Sequence, residues 1–558
     1  MAKREMTGAQ AFLETLRSWG TEYVFGVPGT TEAKLLDTWV DYKDIKYILT
    51  THESVAVSMA DGYSRASGKP GVVSLHTNVG LANGIGQIHN AKVNDIPLVI
   101  TAGIKHTKIQ GRTAFTTSHD IQESVKQYTK WDWTVLRPDA MSENLSRALK
   151  IATTYPTGPT FLAIPEDMQS GKAEMEIAEA DGFRLPSAVR ACPKEIEKAA
   201  RMLLEAERPV IVTGSNVTKE GGWNEIIELA ELTGVPVAED SRVDFASFPT
   251  NHPQYVGPFN AFADVIKKAD VILIAGMRLF TEFSVPTGPV IPETAKLIHM
   301  HSDPFEVAKI YPVSVGLVCD CKSGLRDLVQ AVKAIGVDET WRQKQLSRAS
   351  ELNASLKAKW DNGRKSVRGG KPIQRELLVF GICDIMDDET TVVNEGVTTG
   401  SILVNYLPRT NPKAWFATSG GCLGWGTGAA LGVKIAWPER KVVALLGDGC
   451  LQFGIQALAT AAKMNLAVTY VVAHNDIYAA VKEGILRVKG RAVETDTFLG
   501  TDISGPDYAK IAEGFGLTSF KVTEPEEILP TLRKAVSLNK PTLVDVYVES
   551  DVRLVDRF

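Results

Sequence analysis

The chain has 558 residues, of which 44% are hydrophobic and 23% charged, and its formal net charge is -5. This length exceeds the size at which one hydrophobic core keeps growing, so we expect two to four domains, and the slight excess of acidic residues argues against a nucleic-acid partner. No segment is apolar enough for a signal peptide or a membrane span, and six scattered cysteines do not suggest a disulfide framework; we therefore expect a cytoplasmic protein without a membrane partner.

Three successive stretches of the chain alternate short apolar runs with helical patterns. The first, residues 1–186, contains the strand-like runs YVFGV, YILT, VVSLH, LVITAG and TFLAI. The second, residues 190–337, and the third, residues 373–558, repeat this rhythm, whereas residues 338–372 are helical and then rich in Lys, Arg and Gly, as in a linker laid over a surface. The pattern predicts an α/β protein with three consecutive doubly wound domains and mostly parallel sheets.

Polar residues follow two apolar runs of the third domain. KVVALL leads into Gly447-Asp448-Gly449, and 27 residues beyond Asp448 the run VTYVVA ends before Asn475 and Ile477. The Asp448 carboxylate, the Asn475 amide oxygen and a backbone carbonyl at Ile477 are the hard oxygen ligands that Mg²⁺ prefers, with a diphosphate supplying further ligands. The glycines allow a close approach of backbone to phosphate. A GDG sequence alone is typical of an ordinary turn, but the second polar strand end favours a metal site at the carboxyl edge of the sheet.

GDG followed at this distance by Asn resembles the thiamine-diphosphate motif of the superfamily that includes acetolactate synthase, pyruvate decarboxylase and benzoylformate decarboxylase. Further similar segments are FGVPGT (25–30), SLHTNVGLANG (74–84), PTGPTFLAIPED (156–167), VVNEGVTTG (392–400) and GGCLGWGTGAALG (420–432). The resemblance implies a pyrimidine-binding, a central and a diphosphate-binding domain, with thiamine diphosphate and Mg²⁺ as cofactors. It also implies a homodimer or homotetramer with active sites at subunit interfaces.

The resemblance assigns roles to particular residues. Glu53, within THESVAVSMADGY, would hydrogen-bond the cofactor's aminopyrimidine and promote its imino form, the base that deprotonates the thiazolium. Asp448, Asn475 and the Ile477 carbonyl would hold the metal, and Leu423 would bend the cofactor under its two rings. The other implied cofactor contacts are Asn394, Gly421, Gly447, Gly449 and Tyr478.

Two further residues of the first domain are implied to act on the substrate. His76 occupies the position of an active-site histidine that relays protons, and Thr30 matches a serine that meets the substrate carboxylate. Plainer interpretations stay open: a structural histidine at a strand end, a turn residue following Pro28-Gly29, and ordinary core filling for Leu423.

The chain departs from benzoylformate decarboxylase at one catalytic position. Phe283 lies about where that relative carries a second active-site histidine. Arg112, Phe115, His119 and Gln122 belong to a loop that approaches the neighbouring active site in synthase-like relatives, and a solvated loop is the alternative.

Two enzymatic hypotheses follow, with a small 2-oxo acid, aldehyde or ketone as substrate. The first is non-oxidative decarboxylation of a 2-oxo acid, benzoylformate decarboxylase-like, through an ylid and an enamine. The alternative is a carboligase or lyase of acetolactate-synthase type that makes or cleaves a hydroxyketone. A binding protein without chemistry would have lost Glu53 or the metal ligands, and all are retained. The central domain resembles the one that binds FAD in some relatives, so FAD stays open as a second cofactor. It is not supported, because the Gly214-Ser215-Asn216 turn is a weak signal that also fits an ordinary strand-to-helix connection.

Overall fold

The computed structural model describes residues 3–177, 179–185, 189–259, 264–279, 285, 289–367 and 369–552. Three six-stranded sheets follow one another along the chain, and every strand pair within them is parallel. The predicted α/β architecture of three consecutive domains is therefore confirmed. None of the described helices combines the length and the apolar character that a membrane span requires.

The first sheet has the strand order β3-β2-β4-β5-β7-β6. Its strands are β2 (Tyr23–Gly26), β3 (Lys46–Leu49), β4 (Gly71–His76), β5 (Leu98–Ile104), β6 (Asp132–Thr134) and β7 (Thr160–Pro165). Its helices are α1 (Gly8–Ser18), α2 (Ala33–Trp39), α3 (Glu53–Ser67), α4 (Thr77–Val93), α5 (Thr107–Gln110), α6 (Met141–Thr153) and α7 (Glu166–Ser170). An antiparallel ribbon of β1 (Arg4–Thr7) and β8 (Lys172–Met175), which the apolar pattern did not predict, joins the two ends of this domain.

The second sheet has the order β11-β10-β9-β12-β13-β14, which is the strand order of dinucleotide-binding folds. Its strands are β9 (Pro209–Thr213), β10 (Val237–Glu239), β11 (Tyr255–Pro258), β12 (Val271–Ala275), β13 (Lys296–His301) and β14 (Val315–Val318). Its helices are α8 (Pro193–Leu204), α9 (Asn216–Lys219), α10 (Trp223–Thr233), α11 (Asp264–Lys267), α12 (Cys321–Ile335) and α13 (Glu339–Ser366). Helix α13 lies in the predicted linker and is held on this domain, where Asn353 Nδ2 donates to the Tyr255 carbonyl at 2.8 Å.

The third sheet has the order β16-β15-β17-β18-β20-β19. Its strands are β15 (Thr390–Glu395), β16 (Trp415–Ala417), β17 (Lys441–Gly447), β18 (Val468–His474), β19 (Thr518–Val522) and β20 (Thr542–Tyr547). Its helices are α14 (Arg375–Cys383), α15 (Val397–Tyr406), α16 (Trp425–Ala436), α17 (Asp448–Gly454), α18 (Ala457–Met464), α19 (Ala479–Val488), α20 (Arg491–Glu494), α21 (Tyr508–Phe515) and α22 (Ile528–Ser537). Its strands follow one another across the sheet in the same permutation as those of the first sheet, so the two domains share one topology.

The first and third domains pack through helices that occupy equivalent places in their folds. Helix α3 follows the second strand of its sheet, α16 follows the second strand of the other, and the two helices touch backbone to backbone. A Cβ atom on Gly62 would lie 2.1 Å from the Ala429 carbonyl oxygen, so only glycine permits this approach. Asp61, buried at the interface, accepts hydrogen bonds from Arg65 at 2.5 Å and from the Trp425 indole at 2.8 Å.

The third domain is also fixed to the central one by a buried ion pair. Arg409 and Glu239 are fully buried and hydrogen-bonded to each other, and the Arg409 amide donates to Thr250 Oγ1 at 2.9 Å. Buried charges of this kind require a partner, because an unpaired one would carry the full cost of desolvation.

Candidate active site

Asp448 connects the ends of two neighbouring strands of the third sheet. It follows β17, and its Oδ2 atom accepts the backbone N–H groups of Asn475 at 3.0 Å and Asp476 at 2.7 Å, just after β18. Its Oδ1 atom accepts the Gly449 N–H at 2.9 Å. Burial raises the pKa of the Asp448 carboxyl above its ordinary value, although these three N–H donors favour the carboxylate. The side chain is therefore held in a single orientation.

Asn475 and Ile477, the other two predicted metal ligands, share one tight turn. Asn475 Oδ1 accepts the Ile477 N–H at 3.1 Å, and the Ile477 carbonyl accepts the Ala479 N–H at 2.9 Å. A carbonyl oxygen has two lone pairs, so each of these oxygens retains capacity for a cation. The Tyr478 N–H donates to the Thr501 carbonyl at 2.8 Å and holds the turn from outside. The structure thus places all three predicted ligands at one sheet edge.

A hydrogen-bonded Asp-His-Asp chain lies beside this turn. His474 Nδ1 lies 2.9 Å from Asp545 Oδ1, and His474 Nε2 lies 2.9 Å from Asp476 Oδ1. Burial disfavours the imidazolium, but the two carboxylates outweigh it and raise the pKa of His474 above its ordinary value. Ligand atoms of Asp448, His474 and Asp476 fall within 4.8 Å of one another. Because both ring nitrogens already have partners, His474 positions Asp476 in this arrangement.

Two of the predicted cofactor-binding glycines leave backbone accessible, and a third does not. A Cβ atom on Gly447 would meet only Cys450 Sγ, at 3.6 Å, and one on Gly421 would meet nothing within 4 Å. On Gly449 it would lie 2.6 Å from the Tyr478 ring, so this glycine permits the packing of Tyr478. Asn394, at the end of β15, uses its Oδ1 atom to accept the Gly396 N–H at 3.2 Å.

The loop that contains Leu423 is positioned by helix α4 of the first domain. Gln87 Nε2 donates to the Leu423 carbonyl at 3.0 Å. Asn90 forms two hydrogen bonds with the Cys422 backbone, at 3.0 and 2.8 Å. Leu423 itself is half-buried. Sequence reasoning missed Gln87 and Asn90, because nothing in their local pattern indicates a contact more than 300 residues away.

Glu395 is a buried carboxyl directly behind the same loop. It accepts the backbone N–H groups of Trp425 at 3.1 Å and Gly426 at 2.8 Å, at the first turn of α16. Burial raises the pKa of Glu395 to about 8 against these favourable donors. Sequence reasoning missed this residue as well, although its neighbour Asn394 was predicted.

Glu53 is the first residue of α3 and faces the start of α4. Asn83 Nδ2 donates to its Oε2 atom at 3.0 Å, and a Cβ atom on Gly80 would lie 3.0 Å from its Oε1 atom. The side chain is half-buried, with one carboxylate oxygen available for a further hydrogen bond.

His76, at the end of β4, is held by a buried carboxylate. Its Nδ1 atom lies 3.0 Å from Glu32 Oε2 and 2.9 Å from Thr31 Oγ1, and the Glu32 side chain is only 2% exposed. The same carboxylate accepts the Gly29 N–H at 2.8 Å and the Thr31 hydroxyl at 2.7 Å. A Cβ atom on Gly103 would lie 2.0 Å from Glu32 Oε1, so this glycine is required for the arrangement. Sequence reasoning missed Thr31 and Glu32, which directly follow the predicted Thr30.

Thr30 is exposed at the same edge of the first sheet. Its Oγ1 atom accepts a hydrogen bond from Lys105 Nζ at 3.2 Å. The hydroxyl hydrogen of Thr30 therefore remains available as a donor.

The loop after β5 contacts this cluster through its first residue, Lys105, and its later residues have other surroundings. Gln122 Nε2 donates to Asp132 Oδ1 of β6 at 2.9 Å. Arg112 and His119 are exposed, and Phe115 is 85% exposed. Phe283, the predicted departure from benzoylformate decarboxylase, lies outside the described residues.

Three family models match successive parts of the chain. They describe the N-terminal TPP binding domain (residues 6–125), the central domain (196–328) and the C-terminal TPP binding domain (397–546) of thiamine pyrophosphate enzymes. The chain belongs to the thiamine pyrophosphate enzyme family. It is therefore a thiamine-diphosphate-dependent lyase or carboligase, which confirms the predicted family, enzyme class and organic cofactor.

Relatives of both predicted kinds match almost the whole chain. A probable acetolactate synthase large subunit from Methanocaldococcus jannaschii is 29% identical, over 98% of this chain and 92% of that protein. Benzoylformate decarboxylase from Pseudomonas aeruginosa is also 29% identical, over 96% and 98%. Among solved structures, the thiamine diphosphate-dependent 4-hydroxybenzoylformate decarboxylase from Rhodococcus jostii RHA1 has a TM-score of 0.85 and 27% identity, and the match covers 98% of this chain and 100% of that one.

The described residues of this thiamine pyrophosphate enzyme leave more open backbone at the edge expected for thiamine diphosphate than at the switch point of the central sheet. Open backbone at Gly447 and Gly421 suits a close approach by this cofactor. At the switch point of the central sheet, by contrast, a Cβ atom on Gly214 would lie 2.4 Å from Met277 Cα, and Arg278 donates to Asp95 at 2.5 Å across the crevice. The cavity left there measures about 100 Å³. Ligand pockets for molecules of drug size measure roughly 300–1,000 Å³.

Proposed function

We propose that this chain catalyses the non-oxidative decarboxylation of a 2-oxo acid and releases an aldehyde, as a benzoylformate decarboxylase does. The observation that carries this proposal is the support of His76 by Glu32 and Thr31 at the edge of the first sheet. With Nδ1 engaged, Nε2 is the ring nitrogen without a hydrogen bond in the part of the chain that the structure describes. A histidine presented in this way can supply the proton that turns a decarboxylated substrate into an aldehyde.

The chain's own groups have separate tasks in this proposal. Thiamine diphosphate supplies the electron sink for the electron pair left by departing CO₂. Asp448, Asn475 and the Ile477 carbonyl would hold Mg²⁺, whose hard-oxygen preference their ligand atoms match. Glu53 would hold a proton at the pyrimidine ring, and Leu423 would offer an apolar contact to the cofactor's rings. Backbone near the cofactor would come from Asn394, Gly421, Gly447 and Tyr478, and Gly449 makes room for the Tyr478 ring.

Assembly into a homodimer or homotetramer completes the site in this proposal. Apolar side chains are exposed along the carboxyl edges of the first and third sheets, at Leu49, Val79, Phe115, Val397 and Phe453. Exposed apolar residues concentrated at two functional edges favour an interface rather than open solvent. The first domain of one subunit would then face the third domain of its partner.

Carboligation is the second candidate. Relatives named acetolactate synthase match the chain over the same length, and at the same identity, as benzoylformate decarboxylase. A carboligase would join the decarboxylated fragment to a second carbonyl compound and form a hydroxyketone. Product identity therefore separates the two functions.

The deciding experiment is a screen of 2-oxo acids for CO₂ release with thiamine diphosphate and Mg²⁺, in which the organic product is identified. We expect CO₂ and an aldehyde in equal amounts. Glu53→Gln should abolish turnover, and Asp448→Asn should weaken Mg²⁺-dependent binding of thiamine diphosphate measured by calorimetry. A hydroxyketone would move the assignment to carboligase. Absence of CO₂ from every acid, with cofactor bound, would refute decarboxylation.

A further inference from the structure

Lys105 brings a half-buried positive charge to the edge of the first sheet where Thr30 and His76 lie. The side chain is 16% exposed, and its Nζ atom donates to Thr30 Oγ1 at 3.2 Å. Its position is fixed by the loop around it. Gln110 Nε2 donates to the Lys105 carbonyl at 2.6 Å, and the following turn is bound by Asp167 through the Thr107 N–H at 3.0 Å. These hydrogen bonds hold the backbone around Lys105, and the contacts with Thr30 and Glu166 hold its ammonium group.

The protein does not fully compensate this charge. The nearest carboxylate oxygen, Glu166 Oε1, is 3.5 Å away on a side chain that is 32% exposed, and ion pairs of this kind contribute little. The buried Glu32 carboxylate is already used by Gly29, Thr31 and His76. An ammonium has three N–H donors, so at least one remains after Thr30 and Glu166 are counted.

Donors therefore exceed acceptors at this edge. They are the remaining Lys105 N–H and the Thr30 hydroxyl hydrogen. In parallel sheets, ligands bind outside the carboxyl ends of the strands, which is where this set lies. An anion bound here would replace the hydration that Lys105 loses by its partial burial.

We propose that Lys105, beside the Thr30 hydroxyl that the resemblance already assigns to this contact, binds the carboxylate of the 2-oxo acid. This inference rests on the proposed function for the identity of the anion. Thr30 accepts from Lys105 and donates its own hydrogen to the carboxylate, so the pair acts as one binding unit. Lys105 is a binding residue here, distinct from the proton-transfer role of His76.

The change in substrate charge during the reaction predicts which kinetic constant depends on Lys105. The carboxylate is anionic when the substrate binds, and its charge moves away as CO₂ leaves. A fixed cation therefore stabilises the bound acid at least as much as the transition state. Removal of the cation should raise KM and leave kcat unchanged or slightly higher.

The test compares Lys105→Met and Lys105→Arg with a matched control, Lys108→Met, which removes the same charge from an exposed residue of the same loop. The binding probe is oxamate, an unreactive monoanion that shares the carbonyl-carboxylate unit of every 2-oxo acid. Its affinity for the holoenzyme is measured by calorimetry. Loss of a hydrogen bond to a charged group predicts about tenfold to a hundredfold weaker binding in Lys105→Met. Lys105→Arg should recover most of the affinity, and Lys108→Met should stay within about twofold of the wild type.

Each outcome bears on the inference. Equal oxamate affinity in Lys105→Met and the wild type would overturn it, as would equal losses in both methionine variants or no measurable binding to the wild type. The inference is supported if oxamate binding weakens in Lys105→Met and not in Lys108→Met. For the acid found in the CO₂ screen, Lys105→Met should then show a raised KM and an unchanged kcat. If no acid releases CO₂ but oxamate binding still depends on Lys105, the decarboxylase proposal fails and the anion site stands.

Discussion

Glu32→Gln should weaken catalysis without disturbing the fold. Glu32 Oε2 accepts both the Gly29 N–H and a hydrogen bond from His76, and a glutamine oxygen in the same place can accept both. Its NH₂ group would then face Thr31 Oγ1, which can accept by turning its own hydrogen away. The substitution therefore removes the charge behind His76 and little else. A hydrogen bond to a charged group contributes about 1.5–3 kcal/mol and one between neutral groups about 0.5–1.5 kcal/mol, so loss of the charge alone costs about 1–1.5 kcal/mol. At about 1.4 kcal/mol per tenfold change, kcat/KM should fall roughly 5-fold to 12-fold.

The assay is steady-state decarboxylation of the best 2-oxo acid, with circular dichroism, melting temperature and thiamine diphosphate affinity measured in parallel. Glu22→Gln is the matched control, because Glu22 is exposed just before β2, at the opposite end of the strand that leads to Glu32. Its side chain contacts Lys69 Nζ at 2.6 Å and the Tyr63 hydroxyl at 3.5 Å, both far from His76 in the first sheet. We expect the control to match the wild type. Unchanged kcat/KM in Glu32→Gln would refute the role of Glu32 in supporting His76, and so would a loss of cofactor affinity large enough to explain the lower rate.

Three further predictions concern packing and buried charge. Arg409→Met should lower the free energy of urea unfolding by about 3–5 kcal/mol, because it strands Glu239 without its partner, and the double variant with Glu239→Gln should lose less. Gly103→Ala would place a methyl group 2.0 Å from Glu32 Oε1. It should therefore lower the melting temperature and reduce kcat/KM at least as much as Glu32→Gln does. Wild-type activity in this variant would show that the close contact is dispensable. Burial raises the pKa of Glu395 from 4.5 to about 8, so its contribution to stability is complete below pH 4.5 and is lost as the pH rises to about 8. As the pH rises across this interval, the melting temperature of Glu395→Gln should therefore fall less than that of the wild type. Equal falls in the two proteins would contradict the raised pKa of Glu395.

The apolar runs and the strand-end motifs were sufficient to predict the architecture and the sheet edge at which Asp448, Asn475 and Ile477 lie together. A run such as VTYVVA forms a fully buried strand, and residues after adjacent parallel strands must meet at one edge. The distance of 27 residues from Asp448 to Asn475 spans two helices, α17 and α18, and one strand, β18, and the structure joins the two residues by a hydrogen bond. Signals of this kind are local, because each depends on one strand and the turn that follows it.

The missed residues act through contacts that are distant in the chain. Glu32 reaches His76, Lys105 reaches Thr30, and Asn90 holds Cys422, over separations of 44, 75 and 332 residues. Each has a local pattern that is typical of an ordinary turn, loop or helix. Nothing in such a pattern indicates which side chain lies opposite.

The sequence by itself determined the three α/β domains and the residue types at the ends of β17 and β18, because hydrophobic periodicity and strand-end chemistry depend only on short segments. Its motifs also indicated the thiamine pyrophosphate family by their resemblance to known members. Only the tertiary structure decided that Glu32 supports His76, that Lys105 meets Thr30, and that Arg278 pairs with Asp95 at the crevice of the central domain. Burial, hydrogen-bond geometry and uncompensated charge are properties of groups brought together in space, so they arise only once the three sheets have packed.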